Sequence, residues 1–131
     1  SKPERLIEKA FERIPEVKWV YRSKDHGQDY FSVAYDLNQR DFYPDYLVVD
    51  QGNNLYIIET KGAQNENIDE YASAKFKALK QYTQYQGNSS LVKFAFVRFD
   101  KSAEILKFNN TIWTEEVETS SEWKPLQQLF S

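Results

Sequence analysis

Asp45, Glu59 and Lys61 are the residues of this chain whose types and spacing could do chemistry together. Asp45 stands at the head of the apolar run Tyr46 to Val49, and Glu59 and Lys61 close the run Leu55 to Ile58. Strands this apolar belong in a protein interior, where a charge is costly unless it is paired or bound to a metal. Two carboxylates at neighbouring strand ends form a natural seat for a divalent cation. Without metal they would repel each other and one would hold its proton more readily, with Lys61 partly offsetting the repulsion.

Whether the carboxylates meet depends on register. Runs rich in Val, Ile, Leu and Tyr, broken by Gly52-Asn53, predict an antiparallel hairpin. With a loop of Gln51 to Asn53, Asp50 faces Asn54 and the ladder runs Val49–Leu55, Val48–Tyr56, Leu47–Ile57 and Tyr46–Ile58. The next pair is Asp45 and Glu59. Opposed residues share a face, with Cβ atoms roughly 4.5–5.5 Å apart, close enough to share one cation. Lys61, two residues beyond Glu59, falls on that face by alternation. A two-residue loop at Gly52-Asn53 would instead oppose Asp45 to Thr60 and turn Asp45 away, unless a bulge near Pro44 restored it.

Pro44-Asp45 followed by Glu59-Thr60-Lys61 resembles the PD-(D/E)XK nuclease superfamily. The fuller texture, Phe42-Tyr43-Pro44-Asp45 with Ile58-Glu59-Thr60-Lys61-Gly62, is similar to the endonuclease domain of type III restriction enzymes (the Res subunit) and related helicase-nucleases. The resemblance implies a restriction-endonuclease-like core, with Mg²⁺ (or Mn²⁺) held by Asp45, Glu59 and the main-chain carbonyl of Thr60. Lys61 then orients, or helps deprotonate, the attacking water. Many members add a glutamate from the first helix, which here falls on Glu4 or Glu8; a solvated helix face is the other reading of each. Gln81 and Tyr85, at i and i+4, reach one side of a helix and resemble a Gln-x-x-x-Tyr motif that approaches DNA in one branch of the superfamily, although Tyr85 is equally explained as core. Lys75 and Lys80 are candidate phosphate contacts or solvated lysines.

The function implied is a Mg²⁺-dependent endonuclease domain that hydrolyses DNA phosphodiester bonds in a restriction-modification or DNA-processing system of the prokaryotic cytoplasm. A helicase/ATPase or specificity domain is the expected partner, and cutting both strands calls for a homodimer or assembly. The alternatives are a non-catalytic nuclease-like docking or DNA-binding module, and a nuclease directed at RNA or junctions. The chemistry is coherent on its own terms: a bound Mg²⁺ lowers the pKa of its water and acts as a Lewis acid on phosphoryl oxygens. It takes a few protein oxygens and keeps several waters.

Composition narrows the field further. The chain has 131 residues, 40% of them apolar and 16% aromatic, enough for one domain with a core. There is no Cys and a single histidine, His26, which excludes disulfides, thiolate sites, His-based zinc and the usual nucleophilic triads. The four glycines are isolated, so no phosphate-binding Walker loop exists. No apolar run has the length of a membrane span and no secretory signal is visible. The chain begins at Ser1 and lacks Met, which suggests a domain excised from a larger protein. A net charge of −3 is low for a nucleic-acid enzyme and predicts weak autonomous DNA binding, with a partner domain supplying most of the grip. Basic residues do concentrate after the motif, at Lys75, Lys77, Lys80, Lys93, Arg98, Lys101 and Lys107.

Several elements must position these residues. Leu6, Ile7, Ala10, Phe11 and Ile14 predict a helix from Pro3 to Arg13, stopped by Pro15. Val17 to Tyr21 and Tyr30 to Leu37 read as strands separated by a polar turn. A helix is expected from about Ile68 to Gln86, ended by Gly87-Asn88. Leu91 to Phe99 reads as an internal strand, parallel to the Glu59 strand across the helix. Ser102 to Asn110 has no decisive pattern, Thr111 to Val117 suggests an edge strand, and Trp123 to Phe130 a short terminal helix. The expected fold is α/β, a single domain over 1–131 with a central mixed β-sheet flanked by helices on both sides.

Overall fold

Val, Leu, Ile and Tyr alternate through two short runs that pair across a tight turn, and this hairpin forms the middle of a sheet. The computed structural model describes residues 2–23, 32–35, 40–62, 71–85 and 91–131, the side chains of 2–4 excepted. His26, the start of the expected second helix and Gly87-Asn88 lie outside the described residues. In chain order the elements are α1 (Lys2–Arg13), β1 (Val17–Arg22), β2 (Val33–Tyr35), β3 (Arg40–Phe42), β4 (Tyr46–Asp50) and β5 (Leu55–Thr60). They continue with α2 (Ala72–Tyr85), β6 (Val92–Asp100), β7 (Ile105–Asn109), β8 (Lys124–Pro125) and a 3-10 helix over Leu126–Phe130. Among the described residues six strands form one sheet in the order β1-β4-β5-β6-β7-β8, while β2 and β3 form a separate hairpin. Among the described strands only β5 and β6 are parallel, as a strand–helix–strand connection through α2 requires; the sheet is therefore mixed and the class α/β.

Alternation along β4 and β5 divides the sheet into two faces, each with its own core. Tyr46, Val48, Tyr56 and Ile58 pack with Ile7 and Phe11 of α1, Ala95 and Val97 of β6, and the terminal Leu126, Leu129 and Phe130. Ile57, Phe94 and Phe96 pack with Phe76 and Leu79 of α2, with Val33, Tyr35 and Phe42 of the β2–β3 hairpin, and with Trp123; Leu47 lies against them. No helix among the described residues is long and apolar enough to cross a membrane.

Two expectations for the C-terminal third are corrected. Thr111 to Val117 is not a strand. Asn109, fully buried, donates to the Ile112 carbonyl and accepts from the Thr111 amide, which turns the chain off the sheet. Trp113 then stacks edge-on to Phe96 and Trp123, and the Trp123 indole N–H is satisfied by the Thr114 carbonyl. Trp123 to Phe130 is not one helix either. Pro125 is extended, with φ −53° and ψ 137°, so Lys124–Pro125 pair with β7 and only Leu126–Phe130 wind, as a 3-10 turn.

Candidate functional site

The hairpin adopts the three-residue loop. Asp50 accepts a turn bond from the Asn53 N–H at 3.0 Å, and its own N–H donates to the Asn54 carbonyl at 3.0 Å. Asn53 takes a left-handed conformation, φ 64°, a backbone that Asn tolerates better than most residues. The Asp50 carboxylate locks the turn from inside, accepting from the Asn54 amides and from the Tyr56 hydroxyl at 2.8 Å. Burial alone would raise its pKa, but these hydrogen bonds outweigh burial and hold it below the usual carboxylate range. The ladder then runs Val49–Leu55, Val48–Tyr56, Leu47–Ile57 and Tyr46–Ile58.

One step beyond the last pair, Asp45 meets the Glu59-Thr60 end of β5. Its Oδ2 accepts from the Thr60 N–H at 2.8 Å and from the Thr60 hydroxyl at 2.7 Å, so the side chain caps the strand in place of a further ladder bond. Asp45 follows the alternation of Leu47, and Glu59 that of Ile57, so both lie on the α2 face with Lys61. Lys61 Nζ stands 3.3 Å from Glu59 Oε2, and its own N–H is tied to the Val97 carbonyl of β6 at 3.0 Å. Glu59 is 5% exposed, and its Oε1 is buried with no hydrogen-bond partner. Burial, then the negative charge of Asp45, push its pKa up to about 8, with Lys61 acting in the opposite sense.

Lys75, in the first turns of α2, also favours the ionised form of Glu59 and lies over the rings of Tyr35 and Phe42, 5.6 and 5.5 Å from their centroids. It is thus brought to the edge of the pair. The other candidates are not. Glu8 accepts from the Tyr46 hydroxyl at 3.0 Å and stands 3.5 Å from Arg22, on the α1 face of the sheet and away from Asp45. The side chain of Glu4 lies outside the described residues. Lys80 donates to the Thr111 carbonyl. Helix α2 leads from the Glu59 end of β5 back to the start of the parallel β6, so Gln81 and Tyr85 lie roughly 9 and 15 Å further along it than Lys75. Gln81 is exposed, and Tyr85, at 90% exposure, is not a core residue.

Arg98 is a residue that motif reasoning passed over. It is fully buried in β6 on the same face, donates from Nε to the Gly62 carbonyl at 2.7 Å and from a terminal nitrogen to the Glu115 carbonyl at 2.7 Å, and lies over Trp123. Its hold on Gly62 braces the strand exit that carries Lys61. Alternation with Phe94 and Phe96 was the available signal. Beyond it, Lys107 Nζ lies 2.6 Å from Asp100, which closes the β6–β7 end with a second buried charge.

No third Asp, Glu, His or Cys joins Asp45 and Glu59 as a ligand group among the described residues. The chemistry of the pair still suits a hard divalent cation: carboxylate oxygens, one of them buried without a donor, beside an ammonium group. Comparison of the chain with protein-family models, with curated proteins and with solved structures found no match.

Proposed function

We propose that this chain is a divalent-metal-dependent nuclease domain of the PD-(D/E)XK kind, built on a restriction-endonuclease-like core, with Asp45, Glu59 and Lys61 as its catalytic set. The observation that carries the reading is the buried, donorless Oε1 of Glu59 on the same sheet face as Asp45 and Lys61. A buried carboxyl oxygen without a partner is unfavourable unless a ligand completes it. Asp45 and Glu59 would hold Mg²⁺ or Mn²⁺, and the ion would supply Lewis-acid stabilisation and a water of lowered pKa.

The residues divide the remaining work. Thr60 fixes one oxygen of Asp45 through two hydrogen bonds, so the carboxylate enters the site in a single orientation. Lys61, 11% exposed at its side chain, keeps its ammonium at the mouth of the pair, where it orients a water or neutralises charge on a phosphoryl oxygen. Lys75 adds a second positive charge at the same end. The Arg98–Gly62 bond limits the freedom of the strand end that aims Lys61.

Cleavage of plasmid and of single-stranded DNA with Mg²⁺ or Mn²⁺ tests this reading. The native chain should cut, and Asp45→Ala, Glu59→Ala and Lys61→Ala should each lose about 10²-fold or more while keeping the native circular-dichroism spectrum. Equal cutting by all three variants would contradict it. The net charge of −3 favours a second reading, a non-catalytic docking module, which predicts that the native chain binds neither metal nor cuts.

A further inference from the structure

Among the described residues, strand β1 is the outer strand on one side of the sheet and is paired only with β4. None of its six residues is buried. Paired residues share a face. Val20 and Arg22 pair with Val48 and Tyr46 and so belong to the α1 face, where Arg22 meets Glu8. Trp19 and Tyr21 pair with Val49 and Leu47 and belong to the α2 face, the face of Asp45, Glu59 and Lys61. There Trp19 is 63% and Tyr21 46% exposed.

The pairing continues into the site. The Ser23 N–H donates to the Asp45 carbonyl at 2.9 Å, so Tyr21 lies two rungs of the ladder from Asp45 and Trp19 four, each a same-face position. Strand spacing of about 4.8 Å and an advance of about 6.8 Å per two residues put the Tyr21 backbone roughly 8 Å from that of Asp45. An aromatic stripe therefore leads up to the candidate metal pair on one face.

We infer that this stripe binds single-stranded nucleic acid, with successive bases stacked on Trp19 and Tyr21 and the backbone delivered to Asp45, Glu59 and Lys61; the inference deepens the nuclease reading and rests on it. Two features select a single strand over a duplex. The two rings are about 6.8 Å apart along the strand, twice the 3.4 Å spacing of a stacked strand, so they fit splayed bases; in a duplex both faces of each base are already covered. Charge points the same way. Duplex affinity comes mainly from phosphate neutralisation, yet the chain carries a net −3, and the two cations of β1 are engaged elsewhere, Lys18 by Asn53 and Arg22 by Glu8. Stacking on aromatic rings supplies affinity without such a basic stripe. Among the positive groups of this face, Arg98 is buried, while Lys61, 3.3 Å from Glu59, and Lys75 stand at the Asp45–Glu59 end, where the phosphate would lie.

A second copy of the chain is a poorer occupant of this edge. Antiparallel pairing of two β1 strands about Val20 sets Lys18 directly opposite Arg22, and like charges so placed are destabilising.

The test is binding without metal, in EDTA, of a 12-nucleotide oligothymidine and of a blunt 12-base-pair duplex to the whole chain. Binding is followed by fluorescence anisotropy of labelled DNA and by intrinsic tryptophan emission. The oligothymidine should bind at least tenfold more tightly than the duplex and quench tryptophan emission. Trp19→Ala and Tyr21→Ala should each weaken its binding about tenfold, whereas Trp19→Phe should retain most affinity and abolish most of the quenching, because Trp123 is buried and Trp113 packs in the core. Equal binding of duplex, unchanged affinity in both alanine variants, or a native dimer that Trp19→Ala converts to monomer would each overturn the inference. Metal-dependent cleavage persisting alongside any of those results would leave the nuclease reading standing. Stacking-dependent binding by a chain that never cuts would remove the nuclease reading and keep the stripe.

Discussion

Glu59 holds a buried oxygen that receives no hydrogen bond, next to a second carboxylate. Such a group makes the metal-free protein sensitive to alkali. Its folded pKa, about 8, lies above the unfolded value, so the folded state binds more protons between the two. Stability is then fully present below about pH 4.5 and falls as pH rises through about 8. Glu59→Gln removes the ionisation, and in EDTA it should be more stable than the native chain at pH 9 by a few kcal/mol, at about 1.4 kcal/mol per pKa unit. The gap should shrink towards zero near pH 4; urea melts at the two pH values read it, and an equal gap at both would show that ionisation is not the cause. The same protonation predicts that metal binding near pH 7 releases close to one proton, seen as buffer-dependent heats in calorimetry. Asp50 is the opposite case, a buried carboxylate fully provided with donors, and Asp50→Ala should cost about 2–3 kcal/mol in urea unfolding by stranding the Asn54 amide and the Tyr56 hydroxyl. That Asp45, Glu59 and Lys61 share a sheet face was legible, because alternation and loop length determine strand faces. Where Glu8, Lys80 and Tyr85 lie relative to that face was not, because helical spacing alone does not say which side of a sheet, or which end of it, a helix face reaches.

At the scale of elements, the β4–β5 loop decides whether a site exists. Asn53 in its left-handed conformation closes the three-residue turn and so puts Asp45 on the face of Glu59. Asn53→Gly should be close to neutral, whereas Asn53→Val should lower stability by about 1–2 kcal/mol, because a β-branched residue is strained there; thermal unfolding distinguishes the two. Strand β6 contributes the brace, and Arg98→Met should lose about 2–4 kcal/mol by leaving the Gly62 and Glu115 carbonyls without donors. The hairpin, α1 and the parallel β5–β6 pair could be read from periodicity, since their apolar residues recur at the strand or helix interval. The β3 strand, three residues long, has no such pattern and is defined by its partner β2. The 111–117 segment reads as a strand locally, but its path is set by Asn109 and by the distant Trp123. Those are tertiary causes, invisible to any local window.

Among the described residues, one mixed sheet carries two cores, and its α2 face gathers the Asp45–Glu59 carboxyl pair, two lysines, a buried arginine and the β1 aromatic stripe. The net charge of −3 reads differently against that face than it does in composition alone. A chain that grips through few phosphates should show a shallow dependence of DNA affinity on salt, with a log–log slope of about −2 or flatter for a single strand; a slope near −6 would mean a basic surface that dominates binding. The charge total was legible from the start, but its arrangement was not, because it depends on which strands are neighbours. The most direct test of the central claim is a crystal structure grown with Mn²⁺ and measured for anomalous scattering. We predict a peak bridging the carboxylates of Asp45 and Glu59, with Lys61 alongside. Mn²⁺ bound elsewhere in the crystal, with no peak between these two residues, would contradict the account.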